Sequence, residues 1–113
     1  MSLLDDLKAI ANSDKERDET RLELDFKALR EQIDSIDDED KLVDILMSVA
    51  SDPGEDEKYI VEKAVPKIKD EDRQYELIMN ASLYVAKVFR DNGCLPSRPG
   101  TLARMMAAME AYK

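Results

Sequence analysis

The chain predicts an all-α domain of helical hairpins, packed as an up-and-down bundle or a short HEAT-like stack of five to six helices, on three observations. The first is composition: 43% hydrophobic and 38% charged, with three glycines and 5% aromatics, which is the usage of amphipathic helices and not of strands and turns. The second is a near-repeat thirty-two residues apart, in which Ser35-Ile36-Asp37-Asp38-Glu39-Asp40-Lys41 returns as Lys67-Ile68-Lys69-Asp70-Glu71-Asp72-Arg73, and the apolar runs that follow reach Met47 and Met79. A period in the thirties is the length of one helix-turn-helix unit. The third is apolar spacing of three and four along most of the chain. At 113 residues one domain is expected, with roughly two thirds of the surface of the unfolded chain buried on folding.

Leu3, Leu4, Leu7, Ile10 and Ala11 recur at helical spacing and predict a short amphipathic helix ending near Asn12. Ser13-Asp14-Lys15-Glu16 has the form of a capping box, in which the serine oxygen takes one backbone N–H and the glutamate reaches back to another. The polar stretch through Arg21 offers nothing to bury and would be held only by i,i+4 charge pairs, each contributing a few tenths of a kcal/mol. From Leu22 the spacing becomes four, three, four, three through Phe26, Leu29, Ile33 and Ile36. That is the seam of a coiled coil or bundle, expected to pack on the domain's own helices or on a second copy. Residues 1–37 thus read as a charged N-terminal helical extension, and residues 38–113 as a helical-hairpin bundle.

Asp37-Asp38-Glu39-Asp40 places carboxylates where a helix begins, favourable against the positive end of its dipole by roughly 0.3–1 kcal/mol each. Leu42, Val43, Ile45, Leu46, Val49 and Ala50 supply the buried face, and Ser51-Asp52-Pro53-Gly54 ends the helix. Asp52 with Pro53 at the first helical position and Glu55 beyond predicts the next start. Tyr59, Ile60, Ala64 and Ile68 carry that helix's buried side, and Pro66 predicts a kink or an end. The second acidic cap, Asp70-Glu71-Asp72, opens what reads as a single helix running to Asn92-Gly93, apolar nearly all round and therefore central, with the glycine as its left-handed cap. After the proline-containing loop Cys94 to Gly100, a last helix is expected to carry Leu102, Met105, Met106, Met109 and Tyr112 on one face.

Formal charge is −9 overall but uneven, with 11 basic and 23 acidic side chains in residues 1–72 against 6 and 3 in residues 73–113. An acidic face of this size repels nucleic acid and anionic membrane and attracts a basic protein surface. The cations Lys87, Arg90, Arg98, Arg104 and Lys113 leave the C-terminal third mildly basic. Without stacking aromatics they make a poor nucleic-acid footprint, and docking of that third on the acidic remainder is the expectation. The lone Cys94 makes no internal disulfide, which points to a reducing, cytoplasmic setting. No apolar run approaches the roughly 20 residues of a membrane span.

No catalytic constellation is visible, and the chain has no histidine, so neither a zinc set nor a histidine-activated nucleophile is expected. Residues 34–41 and 14–25 are rich in carboxylates but lack the central glycine of a calcium loop. No cofactor or metal is predicted. The expected function is a non-enzymatic interaction module, an adaptor or inhibitor that presents Asp37, Asp38, Glu39, Asp40, Glu55, Asp56 and Glu57 to a basic partner protein. The alternatives are homo-oligomerisation through Leu22, Phe26, Leu29, Ile33 and Ile36, or weak nucleic-acid binding by the basic third. The methionines of the last helix are expected in the core, with an adaptable docking face as the other reading.

The stretch Asp91-Asn92-Gly93-Cys94-Leu95-Pro96, on through Thr101-Leu102 to Ala108-Met109-Glu110-Ala111-Tyr112-Lys113, with Asp52-Pro53 upstream, resembles the tail of an uncharacterised archaeal family of small helical-bundle proteins. The resemblance covers about residues 38 to 113 and implies a four-helix bundle. It implies no function, and no site residue is carried over.

Overall fold

The computed structural model describes residues 25–112. Within them run six α-helices: α1 (Phe26–Gln32), α2 (Glu39–Met47), α3 (Glu55–Ala64), α4 (Glu71–Asn80), α5 (Leu83–Asp91) and α6 (Thr101–Ala111). Single turns of 3-10 helix over Ile33–Ser35 and Val65–Lys67 follow α1 and α3. No strand occurs among the described residues. The helix expected before residue 13, the Ser13 capping box, the polar stretch and Leu22 all lie outside them.

The thirty-two-residue repeat is a repeat of structure. In each copy a 3-10 turn closes when a buried isoleucine donates its N–H back three residues, Ile36 to Ile33 and Ile68 to Val65. Two residues on, an aspartate takes an extended conformation and its carboxylate accepts the N–H two residues ahead, Asp38 from Asp40 and Asp70 from Asp72, both at 3.1 Å. This is N-capping, and it starts the helix because it satisfies one of the four amides that no intrahelical carbonyl can reach. Asp25 does the same for α1 through the Ala28 N–H.

Like stacks on like, α1 on α3 and α3 on α5, α2 on α4 and α4 on α6, and across the two layers α6 packs on α5, α5 on α4 and α3 on α2. The result is a two-layer stack of three hairpins, the arrangement of a helical-repeat protein. The core lies between the layers around Leu42, Leu46, Ile60, Leu77, Ile78 and Phe89, each fully buried. Phe26, Ile33 and Ile36 belong to the same cluster and Leu29 packs against it, so the core runs across residue 37 without a break. Arg30 adds a cation–π contact over Tyr59, 4.4 Å from the ring centre, between α1 and α3.

Three expectations change. The single helix from Asp70 to Asn92 is two helices, α4 and α5, parted at Ala81 and Ser82, whose ψ angles are 178° and 161°. The described part of residues 38–113 therefore holds five helices, one more than the archaeal resemblance implies. Helix α3 starts at Glu55 with Gly54 as its cap, and Pro53 lies buried ahead of it. Helix α6 turns Arg104, Met105 and Ala108 into the core, whereas Leu102 and Met109 face outward, 71% and 54% exposed. The end at Pro66 and the left-handed Gly93 (φ 75°) stand as predicted.

Candidate functional site

The acidic residues expected to meet a partner are for the most part engaged within the stack. Glu39 accepts the backbone N–H groups of Lys69 and Asp70 at 2.6 and 3.4 Å and the Arg73 guanidinium at 3.1 Å. Those N–H bonds, that of Lys69 foremost, hold its carboxyl below the usual carboxylate range, with Arg73 adding to the effect and burial opposing it. Asp40 pairs with the same guanidinium at 2.7 Å, and Asp37 lies 3.4 Å from the Lys67 ammonium. Asp38 is the cap already described. At the start of α3, Asp56 pairs with Arg30 at 3.0 Å and Glu57 accepts the Ala50 N–H at 2.9 Å, so of the seven only Glu55 has no such contact. The two acidic groups open consecutive helices, α2 and α3.

The contact is reciprocal. As the first hairpin's Glu39 binds the start of α4 in the second, the second hairpin's Lys67 points back. Its ammonium lies 2.8, 3.2 and 2.9 Å from the carbonyl oxygens of Ile33, Asp34 and Ile36, capping the end of the first helix. The next junction follows the same rule, because Arg98 in the loop before α6 reaches back to Asp72 at 2.7 Å and Glu71 at 3.6 Å and lies over the Tyr75 ring. Asp72 raises the pKa of Arg98 further, chiefly through that hydrogen bond. The Tyr75 hydroxyl donates to the Pro99 carbonyl beside it. The basic third, residues 73–113, thus docks on the acidic remainder through two arginines, Arg73 on Glu39 and Asp40 and Arg98 on Asp72.

Arg104 meets a different need. It is 3% exposed, and its Nε and a terminal nitrogen donate to the carbonyls of Ile78 and Ala81 at 2.8 and 2.5 Å. These are carbonyls of the last turn of α4 and of the break that follows, which the chain leaves without intrahelical partners. Lys87 and Arg90 pair locally, both with Asp91, at 2.8 and 3.1 Å. They hold its carboxyl low, the Lys87 hydrogen bond contributing most.

The outer side of the last hairpin is different. Leu95, Pro96, Leu102, Met105, Met106 and Met109 line a groove of ≈ 440 Å³, with Arg90, Ser97, Arg98 and Thr101 completing its wall. Leu95, Leu102 and Met109 are the large hydrophobic residues exposed among those described, and all three border this one groove. No carboxylate lines it. At its edge α6 begins on Gly100, which no side chain caps, and its first turn holds no acidic residue. Glycine suits this position because its φ is +88°, where a side chain would be strained. The Thr101 hydroxyl is buried without a hydrogen-bond partner.

Sequence reading placed the methionines of α6 correctly on a helix but merged two faces. Leu102, Met106 and Met109 fall at i, i+4 and i+7, one straight ridge, whereas Met105 and Ala108 belong to the core side. An apolar pattern that wide is the signal that the helix has two apolar faces. Cys94 is partly buried against the core beside Phe89, whose carbonyl accepts its N–H. Among the described residues no group of three or more Asp, Glu, Cys or His side chains is placed to hold a metal ion, and no helix is long and apolar enough to cross a membrane. No protein-family model, no curated protein and no solved structure matches this chain.

Proposed function

We propose that the protein is a non-enzymatic interaction module whose docking face is the outer side of α6. The observation that carries this reading is the convergence of Leu95, Leu102 and Met109 on one groove. A contiguous exposed apolar patch rimmed by polar groups marks an interaction site far more often than scattered exposed leucines do. Thioether side chains repack cheaply around a partner, and helical-repeat scaffolds characteristically bind through the surfaces their stacking leaves open. The acidic caps, engaged at the hairpin junctions, support a structural role better than a docking one.

The test compares affinity capture from native cell extract by the wild-type chain, by Met109→Glu, and by Asp37→Lys/Glu55→Lys. The expected result is a near-stoichiometric protein retained by wild type and the charge-reversed variant and lost with Met109→Glu. Retention by Met109→Glu with loss on charge reversal would return the docking face to the acidic surface.

A further inference from the structure

We infer that the break between α4 and α5 is a hinge at which the last hairpin exchanges between two copies of the chain, with Arg104 as the latch that keeps each copy closed. Such an exchange needs nothing of the docking face proposed above. Ala81 and Ser82, which part the two helices, have φ angles of −79° and −64°, both already helical. Only their ψ angles, 178° and 161°, depart from the helix, so two torsions turn α4 and α5 into one rod. Nothing in the local sequence forbids that rod, because no glycine or proline occurs from Glu71 to Asn92. Nor does the break carry a cap of its own. The Ser82 hydroxyl is buried without a hydrogen-bond partner, where an N-cap serine ordinarily binds an amide of the first turn.

Arg104 takes the place of bonds that the rod would make. In a continuous helix the Ile78 carbonyl accepts from the Ser82 N–H and the Ala81 carbonyl from the Val85 N–H. In the closed chain both carbonyls accept from the Arg104 guanidinium instead, at 2.8 and 2.5 Å. Val85 donates to the Ser82 carbonyl, and the Ser82 N–H reaches no carbonyl among the described residues. Arg104 is 3% exposed. In the rod its two acceptors pass to backbone amides while its charge stays packed against an α4 helix, which is costly for a buried cation. The latch therefore acts twice, by satisfying the closed break and by penalising the fused one.

The occupant of the vacated place follows from the same joints. A rod over residues 71–91 is about 31 Å long and carries α5 and α6 away from α3 and from the body of α4, on which they pack in the closed chain. Tyr84, Val85, Val88 and Phe89, all buried when closed, then lose their cover. The α5–α6 hairpin of a second copy restores it with contacts that each chain already makes to itself, which is the condition for domain swapping. Helical repeats, whose units touch only their neighbours, are prone to this exchange.

Sedimentation of the full chain, refolded from urea at high concentration, tests this. Arg104→Met is expected to raise the dimer fraction over wild type by about tenfold or more at a fixed chain concentration, with more helix per chain in circular dichroism. Asn80→Ala/Ser82→Ala keeps Arg104, puts the best helix former on both sides of Ala81, and is expected to act in the same direction. Ser82→Pro suits the closed chain, whose φ there is −64° and whose amide donates to no carbonyl, and it forbids the rod by clashing with the Ile78 carbonyl. Arg104→Met/Ser82→Pro and Asn80→Ala/Ser82→Pro are therefore expected to return to a folded monomer. An Arg104→Met chain that is folded and monomeric would overturn the inference. Where that variant does not fold, a monomeric Asn80→Ala/Ser82→Ala chain would do so. A dimer that survives Ser82→Pro would also overturn it, by placing the contact between copies away from the hinge.

Discussion

In the first two hairpins the second helix opens on an acidic triplet that an arginine of the following hairpin holds, Arg73 at the first junction, with Lys67 on Asp37 beside it, and Arg98 at the second. In the third hairpin α6 opens on Gly100-Thr101-Leu102, and the apolar ridge behind that turn faces solvent. The same helical part is thus closed twice and left open once. The comparison teaches that the repeated motif, the most conspicuous in the sequence, belongs to the joints of the molecule. The exposed apolar ridge lies where the motif fails. Magnitudes support the division of labour: half-exposed ion pairs such as Arg30–Asp56, at 43% and 39% exposure, contribute about 0–1 kcal/mol each. A charged group that satisfies several backbone carbonyls at once contributes more.

The largest effect is expected at the joint between the second and third hairpins. Arg104→Met removes the donors to Ile78 and Ala81 and leaves those carbonyls in the interior; a loss of about 2–4 kcal/mol is expected in urea denaturation. If Arg104→Met costs no more than an exposed substitution, α4 and α5 do not depend on α6 for their separation.

Next comes the first junction. Lys67→Met keeps the aliphatic stem but frees the carbonyls of Ile33, Asp34 and Ile36. The expected loss is about 1–2 kcal/mol, with faster amide exchange concentrated in the turn that ends α1. Uniformly faster exchange through all six helices would mean that the hairpins unfold as one unit and the junction is not a local joint.

The smallest effect is the most diagnostic. Glu39 titrates lower in the folded chain than in the unfolded one, so its ionised form stabilises the fold above the ordinary carboxylate pKa of about 4.3. That contribution is lost as pH falls below 4.3 through the lower folded value. Glu39→Gln should therefore lower the urea midpoint modestly at pH 7, and the gap from wild type should narrow as pH drops through the acid range. A gap that stays constant with pH would assign the role of Glu39 to packing and not to its charge.

The helix starts at Asp38 and Asp70, the end at Pro66 and the left-handed turn at Gly93 were legible because each depends on a side chain acting within a few residues of itself. The split at Ala81 and Ser82 was hidden inside an apolar run, since buried residues on two successive helices read as one continuous helix when their faces point in different directions. Asn80 and Ser82 are weak local breakers, and Ser82 makes no capping bond with its hydroxyl. The carbonyls at the break are taken up by Arg104, more than twenty residues further on. In the same way the acidic triplets read as solvent-facing charge because their partners lie a whole repeat away: Glu39 meets Lys69 and Arg73, and Asp72 meets Arg98.

By itself the sequence determined that this protein is helical, that its unit is a hairpin of some thirty-two residues, and where α2, α4 and α6 begin. These follow from periodicity and capping, which act between neighbours along the chain. Only the tertiary structure decided which carboxylates were already occupied, which side of α6 was core and which face stayed open, because each of those depends on groups that folding brings together from different hairpins.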